Sequence, residues 1–187
     1  MSDRRAVFLD RDGVINPLIY HKDAGIVDSP FTLKQFNVFP WVPRAIRNLN
    51  DKGFAVIIIS NQPGIAKGHF TAAVLQGFDR KLQAALKPAK ARLDAAYYCL
   101  HHPEAVVKSL RKRCSCRKPG TGMLLQAARD LGISLSESYM TDSCSARLLV
   151  DECATGQVKL AEQLYRRGVI EIARETLLLG ASPPPEH

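Results

Sequence analysis

Short apolar runs and longer stretches with helical spacing alternate along most of the chain. Two uninterrupted apolar runs, AVFL and FAVIII, are typical of buried strands, and the second is rich in β-branched residues. The expected helices have apolar residues three or four apart, with Thr or Gly at their boundaries. The pattern predicts strands at 6–9, 54–59, 95–98 and 138–140, and helices at 42–52, at 121–131 and from the N-cap Thr71 to about Leu86, with Gly53 and Gly132 as helix stops.

This order of elements indicates an α/β domain built on a mainly parallel sheet. In such sheets ligands bind beyond the carboxyl ends of the strands, so side chains at those positions are the first functional candidates. The chain has 187 residues, of which 46% are apolar, and this fits one domain with a sizeable core. We therefore expect a single domain over residues 1–187, with a disordered Pro-rich end at 182–187.

The charge of the chain points to two classes of partner. The net charge is +8, and a basic protein either binds nucleic acid or attracts a small anionic substrate. Six of the eleven residues from Lys108 to Lys118 are Lys or Arg, in a run that overlaps a cysteine motif. No apolar segment approaches the ~20 residues that cross a bilayer, and the N-terminus lacks the apolar core of a signal peptide. We expect a cytoplasmic monomer that has no membrane partner.

The first predicted strand runs directly into two carboxylates, Asp10 and Asp12, in the segment DRDGVIN. Gly13 permits a sharp turn that brings both carboxylates towards one site. Crowded like charges need a cation, and Mg²⁺ takes oxygen ligands from a few carboxylates plus phosphate. One carboxylate can attack phosphorus while the other shuttles a proton. The competing interpretation is a solvated turn with two ordinary acids, which is the commoner meaning of an isolated D-x-D pair.

The second predicted strand ends in a polar segment, SNQPGIAKG, that begins at Ser60. A hydroxyl, an amide and the backbone N–H groups of a glycine-containing loop can cradle a phosphate. Taken by itself, the segment equally fits a plain turn before a helix.

One loop carries the side chains of a zinc site. Cys99-Leu100-His101 is followed, after twelve residues, by Cys114-Ser115-Cys116, and three thiolates with one imidazole match a tetrahedral structural zinc. The odd count of five cysteines argues against a disulfide framework. Two buried cysteines with chance neighbours are the competing interpretation, which the compact C-x-H and C-x-C pairs disfavour. Arg117 and Lys118 follow at once, so a zinc-pinned loop would hold two cations rigidly.

Together these segments resemble a known family. FLDRDGVIN, ISNQPGIAKG, the cysteine–histidine cluster and CRKPGTGML have the order and spacing of the D-glycero-D-manno-heptose 1,7-bisphosphate 7-phosphatases, which belong to the haloacid dehalogenase superfamily. The resemblance covers about 6–140, roughly three quarters of the chain. It implies a Rossmann-like haloacid dehalogenase fold with no large cap, a zinc-bound loop insertion, and Mg²⁺ and Zn²⁺ as cofactors.

The resemblance also implies roles for individual residues. Asp10 would be the nucleophile and a magnesium ligand, and Asp12 would be the general acid/base, with its backbone carbonyl on the metal. Ser60 and Lys118 would hold the transferring phosphoryl group, and Arg117 would recognise the substrate. The loop positions Leu18, Ile19, Tyr20 and His21, together with Ser60, Asn61, Gln62 and Pro63, would contact substrate, and Cys99, His101, Cys114 and Cys116 would bind zinc.

The resemblance weakens at the family's last motif. That motif has Gly-Asp with a second Asp four residues later, whereas here Thr141 precedes Asp142 and Ala146 stands at the later position. We expect Asp142 to complete the magnesium site nevertheless. The segment 141–187 is interpreted as a diverged tail or as the translation of a shifted reading frame.

The implied activity is hydrolysis of the 7-phosphate through an aspartyl-phosphate intermediate. The substrate would be a small phosphorylated sugar, with no nucleic acid partner, and the product would feed lipopolysaccharide biosynthesis. A histidinol-phosphate phosphatase with the same machinery is the nearest alternative. A non-catalytic zinc-bearing binding protein, for nucleic acid, is the alternative from another class. The basic run and the altered last motif favour that alternative, and the set Asp10, Asp12, Ser60 and Lys118 argues against it.

Overall fold

The structure, a computed structural model, describes residues 4–141 of the chain. Four strands form a parallel sheet, and two further strands form an antiparallel hairpin beside it. In chain order the elements are β1 (Ala6–Leu9), β2 (Ile19–His21), β3 (Ile26–Asp28), α1 (Val42–Asp51), β4 (Ala55–Asn61), α2 (Ala72–Leu86), β5 (Ala95–Cys99), α3 (Gly122–Leu131) and β6 (Tyr139–Thr141). Short 3₁₀ turns lie at Lys87–Ala89, Lys108–Leu110 and Leu135–Glu137.

The parallel sheet has the order β5-β4-β1-β6, which places β1 between two neighbours. Ala6 pairs with Ala55 on one side, and Leu9 pairs with Thr141 on the other. The chain passes from β1 outwards to β4 and β5, and then returns to the opposite side of β1 as β6. The carboxyl end of β1 therefore lies at the point where the strand order reverses, which is where open α/β sheets bind ligands.

Alternate residues of the strands face two separate parts of the core. Val7 and Ile58 belong to one cluster, which also contains residues of α1 and α2, such as Ile46 and Phe78. Phe8, Ile57 and Ile59 belong to the other cluster, with Met123 and Ala127 of α3. Helices thus cover both faces of the sheet, so its central strands are buried on both sides and read as continuous apolar runs in the sequence.

The structure confirms the predicted α/β class and most of the predicted elements. Thr71 caps α2 by accepting a hydrogen bond from the Val74 backbone at 3.4 Å, and Gly132 ends α3 with a left-handed φ of 62°. The strand predicted at 54–59 instead begins at Ala55 and runs on to Asn61, so it includes part of the segment that we interpreted as a loop.

The hairpin β2–β3 is the main difference from the sequence prediction. Positions 18–21 were interpreted as a loop, but Ile19, Tyr20 and His21 pair with Asp28, Val27 and Ile26 in antiparallel register. Within residues 4–141, no helix is long and apolar enough to cross a membrane.

Candidate active site and metal centre

Asp10 lies directly after β1, where its carboxylate meets side chains from two other segments. The Ser60 hydroxyl, at the end of β4, donates to Asp10 Oδ1 at 2.6 Å. The Lys118 ammonium lies 2.9 Å from Asp10 Oδ2, and both side chains are largely buried. The backbone N–H of Asp10 donates to the Thr141 carbonyl at 3.0 Å, which ties the start of this loop to β6. A nucleophile candidate, a hydroxyl and a cation are therefore gathered at one sheet edge.

Asp12 faces the same edge because the chain turns sharply after it. Gly13 has a φ of 84°, a conformation that favours glycine, and its N–H donates to the Asn16 carbonyl at 2.7 Å. The Asn16 amide donates to Asp12 Oδ1 at 2.9 Å, and the Gln62 amide donates to Asp12 Oδ2 at 2.5 Å. The turn thus carries its own hydrogen bonds, and it presents Asp12 to the end of β4.

Arg11, between the two carboxylates, is completely buried. Its Nη2 lies 3.1 Å from both carboxylate oxygens of Asp12, and its Nε lies 3.3 Å from Oδ1. The same Nη2 donates to Gln62 Oε1 at 2.7 Å. The guanidinium carbon lies 5.0 Å from the Phe78 ring centroid and 5.6 Å from that of Phe36. A cation is therefore held inside the aromatic part of the core and directed at Asp12.

Asn61 uses its side chain to hold the backbone of Lys118. Its Oδ1 accepts from the Lys118 N–H at 2.9 Å, and its Nδ2 donates to the Lys118 carbonyl at 3.2 Å. This pair of hydrogen bonds joins the end of β4 to the loop that precedes α3. We predicted that the Asn61 side chain contacts substrate, but in the structure it is hydrogen-bonded to the main chain of Lys118.

Cys99, His101, Cys114 and Cys116 come together as predicted, with their ligand atoms all within 4.8 Å of one another. The three sulfur atoms are 3.1 to 3.5 Å apart, and His101 Nδ1 lies 3.4 Å from the Cys116 sulfur. Tetrahedral zinc, with Zn–S bonds of ~2.3 Å, separates its sulfur ligands by about 3.8 Å. The sulfur atoms lie somewhat closer together than that, and the donor set of three sulfurs and one imidazole fits a zinc ion.

The surroundings of this cluster affect its protonation. Burial raises the pKa of Cys99 to about 12, and the hydrogen bond with Cys116 adds to the effect. Burial also lowers the pKa of His101, and the charge of Lys112 lowers it further, which favours the neutral imidazole that binds metals. His102 points elsewhere, since its Nδ1 accepts from the Glu104 backbone at 3.1 Å.

The cysteine–histidine cluster and Lys118 are parts of one tightly packed loop. The Gly122 N–H donates to the Ser115 carbonyl at 2.9 Å, and a Cβ at Gly122 would lie only 2.8 Å from that oxygen. The Gly120 N–H donates to the Arg117 carbonyl at 2.7 Å. The segment GTG thus fits closely against the C-x-C turn, and the cations between them have little freedom of position.

The other predicted substrate contacts differ in their exposure. Leu18 and Tyr20 are exposed, whereas His21 is half-buried and its ring stacks on Phe31 with the ring centroids 3.6 Å apart. Phe31 stacks in turn on His69, which follows β4. Pro63 is half-buried, as is Arg117, whose Nη1 lies 3.4 Å from the His101 carbonyl. Asp142 and Ala146 lie outside the described residues.

Sequence reasoning assigned no role to Arg11 or Asn16, which both bond to Asp12. Asn16 lies within the quoted segment DRDGVIN, so its position after the turn was a usable signal. Arg11 gave no such signal, because a charged residue in a turn beside two acids is ordinarily exposed.

Comparison with known proteins supports the relationship that the motifs suggest. The model of the polynucleotide kinase 3 phosphatase family matches residues 18–147. The D-glycero-beta-D-manno-heptose-1,7-bisphosphate 7-phosphatase of Escherichia coli K12 is 41% identical over 135 residues, which are 72% of this chain and 66% of that protein. The Haemophilus ducreyi protein of the same name is 35% identical over 158 residues, which are 84% of this chain and 82% of that protein. The chain therefore matches just under two thirds of the E. coli relative's length.

Solved structures agree on the class. A suggested HAD-like phosphatase of Mesorhizobium loti is 27% identical with a TM-score of 0.64, covering 74% of this chain and 62% of that chain. The D,D-heptose 1,7-bisphosphate phosphatase of B. bronchiseptica, solved with magnesium and phosphate, is 25% identical with a TM-score of 0.61, covering 87% of this chain and 98% of that chain. The fold is thus that of the haloacid dehalogenase-like phosphatases. Within that class, the chain belongs to the family of D-glycero-D-manno-heptose 1,7-bisphosphate 7-phosphatases.

Proposed function

We propose that this protein is a magnesium-dependent phosphomonoesterase that removes the 7-phosphate of D-glycero-D-manno-heptose 1,7-bisphosphate. The observation that carries the proposal is the grouping of Asp10, Ser60 and Lys118, with contacts of 2.6 and 2.9 Å to the two carboxylate oxygens of Asp10. Relatives with this named activity support the choice of substrate.

Asp10 is the proposed nucleophile. Its carboxylate oxygen attacks phosphorus while the bond from phosphorus to the sugar oxygen breaks, and an aspartyl-phosphate forms. Ser60 and Lys118 lie beside this carboxylate, so both can donate hydrogen bonds to the oxygens of the transferring phosphoryl group. The ion pair with Asp10 keeps the Lys118 ammonium at this position before a substrate arrives.

Asp12 is the proposed general acid/base. It gives a proton to the departing sugar oxygen, and it then takes a proton from the water that attacks the aspartyl-phosphate. The second step breaks the bond between Asp10 and phosphorus and releases inorganic phosphate. Two carboxylates near one another thereby perform different tasks, one as nucleophile and one as proton carrier.

The donor set at this edge fits magnesium, which prefers hard oxygen ligands. Asp10, through its carboxylate, and Asp12, through its backbone carbonyl, would hold the ion, with Asp142 as the third proposed ligand. Bound there, Mg²⁺ would offset negative charge between the nucleophile and the phosphoryl oxygens. A second ion, zinc, would be held by the cysteine–histidine cluster, where it would stabilise the loop that carries Arg117 and Lys118.

The proposed substrate carries two phosphates, and Arg117 directly precedes Lys118, whose ammonium lies 2.9 Å from Asp10 Oδ2. Arg117 is the proposed recognition residue, since its guanidinium can form paired hydrogen bonds with a phosphate or with sugar hydroxyls. A monophosphate such as histidinol phosphate would leave part of this positive charge without a partner.

Phosphate release tests the proposal. The protein, loaded with zinc, is supplied with heptose 1,7-bisphosphate, with histidinol phosphate, and with an oligonucleotide bearing a 3′-phosphate, each with and without Mg²⁺. We expect the highest kcat/KM for the heptose bisphosphate, an absolute need for Mg²⁺, and no turnover by Asp10→Asn. Faster release from the oligonucleotide would move the substrate towards the one named in the matched family model. Salt-dependent oligonucleotide binding without any phosphate release would favour a non-catalytic binding protein instead.

A further inference from the structure

A buried cation lies behind the two proposed catalytic carboxylates. The Arg11 side chain has no exposed surface, whereas the Asp12 side chain that it contacts keeps 11% of its surface exposed. Removing a guanidinium from water costs several kcal/mol, and a buried ion pair is often no more stable than apolar side chains in its place. Stability alone therefore gives little reason for an arginine at this position.

Aromatic rings from three separate segments fix the direction of the Arg11 side chain. Its guanidinium carbon lies 5.0 Å from the ring centroid of Phe78 in α2, 5.6 Å from that of Phe36 and 6.0 Å from that of Tyr98 in β5. The Tyr98 hydroxyl in turn donates to Asp79 of α2 at 2.6 Å. These rings form a cage around the cation, and such contacts are stronger when the cation is removed from water.

The Arg11 guanidinium contacts both Asp12 and Gln62, which belong to a short chain of hydrogen bonds. Its Nη2 contacts Asp12 at 3.1 Å and Gln62 Oε1 at 2.7 Å. The Gln62 amide then donates to Asp12 Oδ2 at 2.5 Å and to the Ser60 hydroxyl at 3.1 Å, and Ser60 donates to Asp10. One buried cation thus lies at the end of a chain that connects the acid/base candidate to the nucleophile candidate.

We propose that Arg11, aided by Gln62, is a positioning residue that orients the Asp12 carboxylate for proton transfer to the leaving oxygen. This inference rests on the proposed function, because it needs Asp12 to act as a general acid. Arg11 would not touch the substrate. It would act through the fork of hydrogen bonds that fixes the plane of the Asp12 carboxylate, and the aromatic cage would fix the fork.

Leaving-group dependence separates this role from a merely structural one. An alkyl phosphate such as the heptose bisphosphate needs a proton on its leaving oxygen, whereas an aryl phosphate such as para-nitrophenyl phosphate releases a stable phenolate without one. The parameter to measure is kcat/KM, since it covers the steps up to release of the alcohol and excludes hydrolysis of the aspartyl-phosphate. General acid catalysis contributes ~10²–10⁴-fold, so Asp12→Asn should lose this factor mainly on the alkyl ester.

We expect Arg11→Met to lower kcat/KM at least about tenfold more on the alkyl ester than on the aryl ester. Asp12 is still present in this variant, but its carboxyl group is no longer held in the orientation for proton transfer, and only the alkyl ester needs that proton. Arg11→Lys keeps the charge but loses the fork, and should show the same selective loss with a smaller size. Adding Arg11→Met to Asp12→Asn should change little further, since both act in one step. Lys81→Met is the matched control. The Lys81 ammonium donates to the Phe36 carbonyl at 2.7 Å. Its removal therefore disturbs the segment that carries one ring of the cage but does not affect any contact of Asp12.

Equal losses on both esters, or full additivity with Asp12→Asn, would overturn the proposal and leave the phosphatase assignment intact. If Arg11→Met does not fold, Arg11→Lys and Gln62→Met decide the question by the same ratio of the two esters. A wild-type protein that hydrolyses neither ester would refute the phosphatase proposal, and the role of Arg11 with it.

Discussion

Lys118 is held in place through its backbone as well as through its charge. Asn61 forms one hydrogen bond with the Lys118 N–H and one with its carbonyl, and the ammonium contacts Asp10 at 2.9 Å. A cation beside a transferring phosphoryl group matters most in the transition state, where charge is redistributed. The position of this main chain should therefore affect the rate more than the affinity.

We predict that Asn61→Leu lowers kcat roughly tenfold with a much smaller change in KM. Two hydrogen bonds of ~1 kcal/mol each position the cation, and a loss of 1.4 kcal/mol of transition-state stabilisation is about a factor of ten in rate. Lys118→Met removes the cation itself and should cost about 10²–10³ in kcat. Steady-state kinetics of both variants and of the double variant check this. If the two effects multiply fully, or if only KM rises, Asn61 does not act through Lys118.

Single residues also mark the limit of sequence reasoning. Asp10 was predictable as a functional candidate because an apolar strand runs directly into it, and parallel strands present their carboxyl ends to one edge. The environment of Arg11 was not predictable, because it depends on rings at positions 36, 78 and 98, which only the tertiary fold brings together.

The loop between β5 and α3 joins the cysteine–histidine cluster to two basic side chains. Cys114 and Cys116 precede Arg117 and Lys118 directly, and Gly122 packs against the Ser115 carbonyl. The loop has hydrogen bonds of its own, but its regular structure within the described residues is limited to the short 3₁₀ turn Lys108–Leu110. Four ligands on one ion would therefore add to its rigidity.

We predict one zinc ion per chain, measured by elemental analysis of metal-replete protein. Removing it by chelation, or replacing one ligand in Cys116→Ser, should lower Tm and phosphatase activity together, although no proposed catalytic group is lost. Cys153→Ser is the matched control, because that cysteine is not one of the four cluster residues. Protein without zinc that keeps its full thermal stability and activity would refute a structural role for the metal.

The cysteine–histidine cluster was predictable from the sequence because its four residues lie in two compact pairs along the chain. The hairpin β2–β3 was not, because each strand has three residues and neither strand has a buried position. Its position is fixed by the stack of His21 on Phe31 and of Phe31 on His69, which is a tertiary contact.

The topology of the whole sheet assembles the site from distant parts of the sequence. Asp10 follows β1, Ser60 lies one residue before the end of β4, and Lys118 lies in the loop after β5, with β1 between β4 and β6. The alternation of elements predicted the α/β class. It did not predict the strand order, because β6 pairs with β1 across more than 120 residues of intervening sequence, and no local pattern encodes such a pairing.

The residues at and after the end of β6 should determine how much Mg²⁺ the protein needs for activity. Thr141 ends β6 in register with Leu9, and Asp142 follows it in sequence with Ala146 four residues later. Groups that support a metal ligand commonly change affinity or activity 10–100-fold, so a chain with Thr141→Gly and Ala146→Asp should need less Mg²⁺ for half-maximal activity. Magnesium titrations of both proteins check this. An unchanged requirement and an unchanged rate would show that these two positions do not limit the metal site.

The proposed mechanism requires that Asp10 becomes phosphorylated during turnover. Acid quenching of the magnesium-loaded protein while it hydrolyses heptose 1,7-bisphosphate, followed by peptide mass spectrometry, tests this directly. We expect a phosphate on the peptide that contains Asp10, and we expect it to be absent without Mg²⁺ and absent in Asp10→Asn. Active turnover with no phosphate on that peptide, or with phosphate on Asp12 in its place, would contradict it.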